Sequence, residues 1–211
     1  KVKIAVIGGT GFIGKLLINK LINLKCYEIT VFSRNKNNVF PKTVRFVICN
    51  FENLKYQKNI LLDIDIIINL VTPTEKTKDL ANEFMNVCNL SNIKKIIHMS
   101  SISVYGPHNN KIVFEDTKCL STSEYGQNKI LFDNIIFNYQ FNKTKLIILR
   151  PTVVFGHEGK NLIKNFLDFA KEKPFVSFLK KSLFFNRSLN LLSVNNLVDC
   201  TIFMIKKDFS K

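Results

Sequence analysis

A chain of 211 residues, 46% hydrophobic and 22% charged, is long enough to bury the core of one large domain or of one domain with a small lobe. Its net charge of +15 invites a nucleic-acid partner, but the excess is nearly all Lys, is spread along the chain, and comes with no helix-turn-helix, zinc-finger or aromatic-basic RNA pattern. The longest apolar stretch, 59–71, is interrupted by Asp63 and Asp65 and is too short to span a bilayer, so neither nucleic acid nor a membrane span is expected.

The first element is a β-branched run around Ile4 and Val6, the pattern of a strand buried in a parallel sheet. It leads into Gly8-Gly9-Thr10-Gly11-Phe12-Ile13-Gly14, after which Phe12, Leu16, Leu17 and Leu21 have the spacing of an amphipathic helix. Gly8, Gly11 and Gly14 allow a tight turn, close backbone approach to a pyrophosphate and close packing of helix on strand. The helix start then offers unpaired N–H groups to an anion. Gly9 to Lys15 also fits the opening of an ATPase-type phosphate loop, but Leu16 stands where that loop needs a hydroxyl for magnesium. A dinucleotide site is the better match.

A second strand, 27–32, ends at Ser33-Arg34-Asn35. NAD-binding folds usually carry an acid here for the ribose 2′-hydroxyl, and a cation suits a 2′-phosphate. Arg34 therefore favours NADP(H), with NAD(H) left open because the same guanidinium can instead stack on adenine. Strands at 44–48, 65–70 and 94–99 and a helix at 75–90 follow, alternating at short spacing as in a doubly wound sheet with right-handed crossovers. The fifth strand runs into Ser100-Ser101-Ile102-Ser103-Val104-Tyr105-Gly106, hydroxyls clustered at the carboxyl end of a strand where open α/β sheets bind ligands. The segment 121–141 has a helical pattern that sets Tyr125 and Lys129 four apart on one face. An ammonium near the phenol lowers the tyrosine pKa and equips Tyr125 to exchange a proton with a substrate hydroxyl, which Ser101 would hold while Lys129 also grips the nicotinamide ribose. The five cysteines (Cys26, Cys49, Cys88, Cys119, Cys200) are scattered, with no metal-ligand spacing; reduced thiols, mostly core fillers, in a cytoplasmic protein without a metal site are expected.

These pieces, with Asn69-Leu70-Val71, Tyr125-Gly126-Gln127-Asn128-Lys129 and the run Leu149 to Gly156, resemble the extended short-chain dehydrogenases, the NAD-dependent epimerase/dehydratase family typified by UDP-galactose 4-epimerase. The resemblance spans essentially the whole chain. It implies an α/β fold, a Rossmann-type doubly wound parallel sheet with a small C-terminal substrate lobe. The dinucleotide-binding domain would occupy 1–155 and the lobe segment 156–190; a strand and helix over 191–211 would return to the main domain, with Val194 and the helix 195–206 returning to the main sheet. The resemblance places the catalytic residues at Ser101, Tyr125 and Lys129. It extends the cofactor site to Thr10, Phe12, Ile13, Asn50, Phe51, Leu70, Val71, Pro151 and Val153, and assigns Ser101, Ser103, Val104 and Arg187 to the substrate, Arg187 at its diphosphate. Hydride transfer at a secondary alcohol or ketone of a nucleotide-sugar, at C4, is implied, by a homodimer formed through the helices at 76–90 and 122–141. Ile102 and Ser103 stand where sugar 4,6-dehydratases carry an Asp-Glu pair, which argues against dehydration. NADPH is the reducing cofactor, so Arg34 tilts the expectation from 4-epimerase towards keto-sugar reductase. A non-catalytic binder on the same fold is the alternative.

Overall fold

The computed structural model describes residues 1–34, 40–49, 53, 56–72, 74, 76–89, 91, 93–107, 112–139, 143–157 and 190–207. Six strands form one parallel sheet: β1 (Val2–Ile7), β2 (Tyr27–Ser33), β3 (Arg45–Ile48), β4 (Ile66–Asn69), β5 (Lys95–Met99) and β6 (Lys145–Leu149), in the order β3-β2-β1-β4-β5-β6. The direction of winding reverses between β1 and β4, and the carboxyl ends of those strands open a crevice there.

Alternation along each strand supplies both faces. Ala5, Ile7, Phe32, Ile67 and Ile96 meet α3 (Thr77–Asn89), which follows the single-turn α2 (Lys58–Leu61), and α4 (Glu124–Phe137), through Phe84, Met85, Phe132 and Ile136. Ile4, Val6, Val31, Ile68 and Ile97 meet α1 (Phe12–Leu24), through Leu17, Ile18 and Leu21, and α5 (Val194–Lys206), through Val198 and Ile205. The near-continuous Ile run of β4 is what a strand covered on both sides requires.

Several sequence expectations change. The segment 121–141 contributes only Glu124–Phe137 to the helix, because the Ser123 hydroxyl accepts the Gly126 N–H and sets its start. The returning segment does not join the main sheet as a strand. Val153–Phe155 (β7) and Leu191–Ser193 (β8) pair in parallel as a separate two-stranded sheet, Val194 opens α5, and the helix alone packs back on the main sheet. Only Cys49 and Cys88 are buried; Cys26 and Cys200 are exposed and Cys119 intermediate, and none of the five is in a disulfide, so most are not core fillers.

Lys95, 5% exposed at the start of β5, points to the α5 side and donates to the carbonyls of Met204, Ile205 and Lys207 at 2.8–2.9 Å. It satisfies the orphan carbonyls at the end of α5 while complementing the negative end of the helix dipole. Its neighbour Lys94 only pairs with Asp65 at the surface. Lys95→Met should cost about 2–4 kcal/mol in urea unfolding, whereas Lys94→Met should cost less than about 1 kcal/mol. Equal effects would show that the buried ammonium does not secure α5.

Candidate active site

The glycine turn forms one wall of a cleft of about 330 Å³ at the β1/β4 crevice, lined by Gly8, Thr10, Gly11, Ser33, Arg34, Leu70, Val71 and Thr72 among others. A Cβ on Gly14 would meet the Gly9 backbone at 2.6 Å, so only glycine lets α1 start this close to β1, and Gly8 takes a positive φ of 79° against the Leu70 carbonyl. At Gly11 an added Cβ would meet only the Gly8 oxygen, at 3.4 Å, so the turn is open there towards the cleft. The start of α1 has neither a side-chain cap nor an acidic residue in its first turn. Its leading N–H groups are thus left for an anionic ligand. The Thr10 and Ser33 hydroxyls lie 2.9 Å apart and tie the turn to the end of β2. Arg34 is exposed at the mouth, and no Asp or Glu lines the cleft among the described residues. A glycine turn open at Gly11, with uncapped helix N–H groups behind it and no acid among the described lining residues, fits a dinucleotide pyrophosphate.

The serine turn lies beyond β5. The Ser101 oxygen accepts from the Ser103 N–H at 3.2 Å and from the Ser103 hydroxyl at 2.8 Å. With both acceptor positions filled, the remaining proton of Ser101 is free to be donated, and the nearby Tyr125 phenol is the group whose pKa it lowers. α4 approaches this turn so closely that a Cβ on Gly126 would lie 1.9 Å from the Ser121 hydroxyl and 2.7 Å from the Ser103 carbonyl. Glycine after Tyr125 is therefore what brings the two hydroxyls together. Arg150 braces the turn by donating to the Tyr105 hydroxyl at 2.8 Å, and the Ile102 N–H reaches the Pro151 carbonyl at 2.9 Å.

Lys129 lies one turn further along α4, 4% exposed, and its ammonium donates to Met99 O at 2.6 Å and Val71 O at 3.4 Å. It spans the ends of β5 and β4, joining the hydroxyl pair to the cleft wall. Burial pulls its pKa down to about 8, against the attraction of Asp133. One expectation needs correcting here. The Tyr125 pKa is raised, by burial, and the opposing influence is the Ser101 hydrogen bond. A shared helix face does not make Lys129 its partner, because the ammonium is directed to the strand ends while Tyr125, 44% exposed, stays at the rim.

Of the other expected residues, Gly8, Thr10, Gly11, Arg34, Leu70 and Val71 share the cleft, while Phe12 and Ile13 pack against the α1-side core. Val153 lies in β7, and Pro151 supports the serine turn. Val104 is a correction: its side chain is fully buried and its N–H and carbonyl are bound to Ser101 and Ser121, which leaves it nothing to offer a substrate. The Ser103 hydroxyl is directed at Ser101. Asn50, Phe51 and Arg187 lie outside the described residues. Sequence reading named Asn69 only as part of a motif, without a role, and missed His98 and Asp133; all three are buried polar groups around the lysine, and the signal for the first was an Asn closing an otherwise all-Ile strand. Among the described residues no cluster of His, Cys, Asp or Glu could hold a metal, and no helix is long and apolar enough to cross a membrane.

A parallel sheet in this order, with a glycine turn at the switch point and a Ser–Tyr–Lys group beside it, defines a Rossmann-type dinucleotide-binding fold of the short-chain dehydrogenase kind. The model of the NAD dependent epimerase/dehydratase family matches residues 4–210, and the chain belongs to that family. Its fold is that of UDP-N-acetylglucosamine 4-epimerase from Bacillus cereus (TM-score 0.76, 20% identity, 98% of this chain and 74% of that one). It is similar too to UDP-glucuronic acid 4-epimerase from Bacillus cereus, solved with UDP-glucuronic acid and NAD (TM-score 0.78, 18% identity, 99% and 74%). The dTDP-glucose 4,6-dehydratase of Bacillus anthracis, solved with NAD, is a further match (TM-score 0.76, 20% identity, 98% and 72%). The uncharacterized protein y4nG of Sinorhizobium fredii is 24% identical over 177 residues, 79% of this chain, and the chain spans only 44% of the length of that curated relative.

Because the Lys129 pKa falls from an ordinary 10.5 to about 8 on folding, the unfolded chain binds more protons than the folded one between those values. This group therefore makes stability rise as pH climbs through that window. Chemical denaturation at pH 8 and pH 10 should show the wild type gaining on Lys129→Met at the higher pH. A stability difference that does not change with pH would mean that the ammonium is not held at a lowered pKa.

Proposed function

We propose that the chain is an NAD(P)-dependent oxidoreductase acting on a secondary alcohol or ketone, at C4, of a nucleotide-activated sugar, with keto-sugar reduction favoured over 4-epimerisation. The observation that carries this is the Ser101–Tyr125 hydroxyl pair, joined through the buried Lys129 to the wall of the dinucleotide cleft. The cofactor, held by the glycine turn, Thr10, Leu70 and Val71, supplies or accepts the hydride when bound. Ser101 donates its free proton to the substrate oxygen and so polarises it. Tyr125 delivers or removes the proton at that same oxygen, and Ser101 turns its single proton from the phenol to the substrate when the substrate is in place. Lys129 holds the ends of β4 and β5 in register beneath the reacting group and brings positive charge to the site.

Arg34 and the lack of acid among the described residues lining the cleft support NADP(H), and so a reductase; the neighbours solved with NAD support NAD(H) and the epimerase. Ile102 and Ser103 give the serine turn no acid or base of the kind dehydration needs. The lobe segment 156–190, with Arg187 at the diphosphate, would complete the substrate site beside the dinucleotide-binding part over 1–155, with 191–211 returning. A homodimer through α3 and α4 is supported by the exposed Leu131 and Phe137 on α4.

With a nucleotide-activated 4-keto-sugar, the wild type should consume NADPH stoichiometrically, and Tyr125→Phe should lower kcat by about 10²–10⁴-fold while leaving cofactor affinity nearly unchanged. Interconversion of two nucleotide-sugars without net NADPH loss would support the epimerase. Unchanged turnover in Tyr125→Phe would exclude this use of the phenol, and tight cofactor binding without any turnover would support a binder. Arg34→Ala should weaken NADP(H) about tenfold or more and NAD(H) less than about twofold in fluorescence titrations. Equal losses would remove the case for the 2′-phosphate.

A further inference from the structure

Behind the hydroxyl pair lies a buried polar chain that the proposed chemistry does not use. The Val71 N–H donates to Asn69 Oδ1 at 3.1 Å, which fixes the orientation of that amide. Asn69 Nδ2 then faces His98 Nδ1 at 3.1 Å, and an amide nitrogen can only donate, so Nδ1 is the ring's acceptor. The ring proton is thereby placed on Nε2, which faces Asp133 Oδ1 at 3.4 Å. Those two atoms are the buried side-chain polar atoms, among the described residues, that have no closer hydrogen-bond partner, and they face each other. The second Asp133 oxygen accepts from the Ser100 hydroxyl at 2.8 Å and from Arg150 Nε at 3.3 Å. The imidazole is fully buried and stacks on Phe132, with centroids 4.8 Å apart and planes at 6°.

On the other side the Val71 carbonyl accepts from Lys129, one helical turn before Asp133 in α4. The chain of contacts closes into a ring: Val71, Asn69, His98, Asp133, α4, Lys129 and back to Val71. We propose that His98 is a positioning residue, fixed as the neutral Nε2–H tautomer, that ties the cleft-lining loop after β4 to the helix bearing Tyr125 and Lys129. The functional meaning of this tie rests on the reaction proposed above; the tautomer does not.

The charged groups facing the ring are Asp133 and Lys129, both from α4, with Arg150 from the end of β6 on the far oxygen of Asp133. Burial and Lys129 disfavour the imidazolium, and Asp133 favours it. Geometry decides between them. A proton on Nδ1 would point at the Asn69 NH₂ group, and accommodating it by flipping the amide would take the acceptor away from the Val71 N–H. Charging His98 therefore means releasing the wall of the cofactor cleft.

The test is ¹⁵N-histidine NMR of the full chain, whose three histidines are distinguished with His98→Gln. His98 should show an unprotonated Nδ1 and a protonated Nε2, unchanged from pH 5.5 to 8. An Nδ1–H tautomer, or an ordinary titration near pH 6.5, would overturn the proposal. The second readout is NAD(P)H affinity. Gln can accept from Asn69 and donate to Asp133, whereas Phe preserves the stack on Phe132 and can do neither. His98→Phe should raise the dissociation constant about tenfold and His98→Gln should restore it to within about threefold. A loss of Tm in both variants with wild-type affinity would reduce His98 to a packing residue. If His98→Phe fails to fold, wild-type NMR and His98→Gln affinity still decide. Failure of the functional proposal appears separately, as a wild type that neither binds dinucleotide nor turns over.

Discussion

A single ammonium, buried between the ends of two strands, holds the site together. Lys129 reaches the carbonyls of Met99 and Val71, the residues just inside and just beyond the carboxyl ends of β5 and β4. Burying a charge is costly unless it is well solvated by the protein, and here two backbone dipoles and the Asp133 carboxylate supply that solvation. The lowered pKa shows that they do not compensate fully. What the arrangement secures is position: α4 cannot shift along the sheet without taking Lys129 away from both carbonyls, and Tyr125 moves with α4.

The same logic recurs around it. Gly126 lets the first turn of α4 press onto the serine turn, and Arg150 fastens the other side of that turn through Tyr105. Gly14 does for α1 what Gly126 does for α4. Two glycines thus set two helix starts against two strand ends, one facing the dinucleotide cleft and one facing the hydroxyl pair. Lys95 secures the C-terminal end of α5 in a comparable way, far from the chemistry. Buried lysines solvated by carbonyls are a repeated device in this lysine-rich chain.

Five of the six strands were legible because they are apolar runs rich in Ile and Val, β6 went unread as a strand, and the cleft was legible because glycine spacing reports backbone geometry directly. The β7–β8 pair was not legible: three-residue strands separated by more than thirty residues leave no periodic trace, and their pairing is purely tertiary. Lys94-Lys95 reads as two surface charges, and only the docking of α5 buries one of them. The Tyr125–Lys129 spacing correctly placed two side chains on one helix face but carried no information on depth, so the pairing of Tyr125 with Ser101 rather than with the ammonium emerged only in three dimensions. His98 and Asp133, 35 positions apart, look like a lone histidine in an apolar strand and a solvated helix acid until α4 packs over β5.

The central claim is that the cleft and the hydroxyl pair form one site at which hydride passes between a nicotinamide and a nucleotide-sugar. It is tested most directly by incubating the protein with NADPH deuterated on the transferring face of C4 and a nucleotide-activated 4-keto-sugar, then measuring the sugar by mass spectrometry. The account predicts one deuterium on the carbinol carbon of the product. Product formed without deuterium, or no product from a chain that binds both ligands, would contradict it.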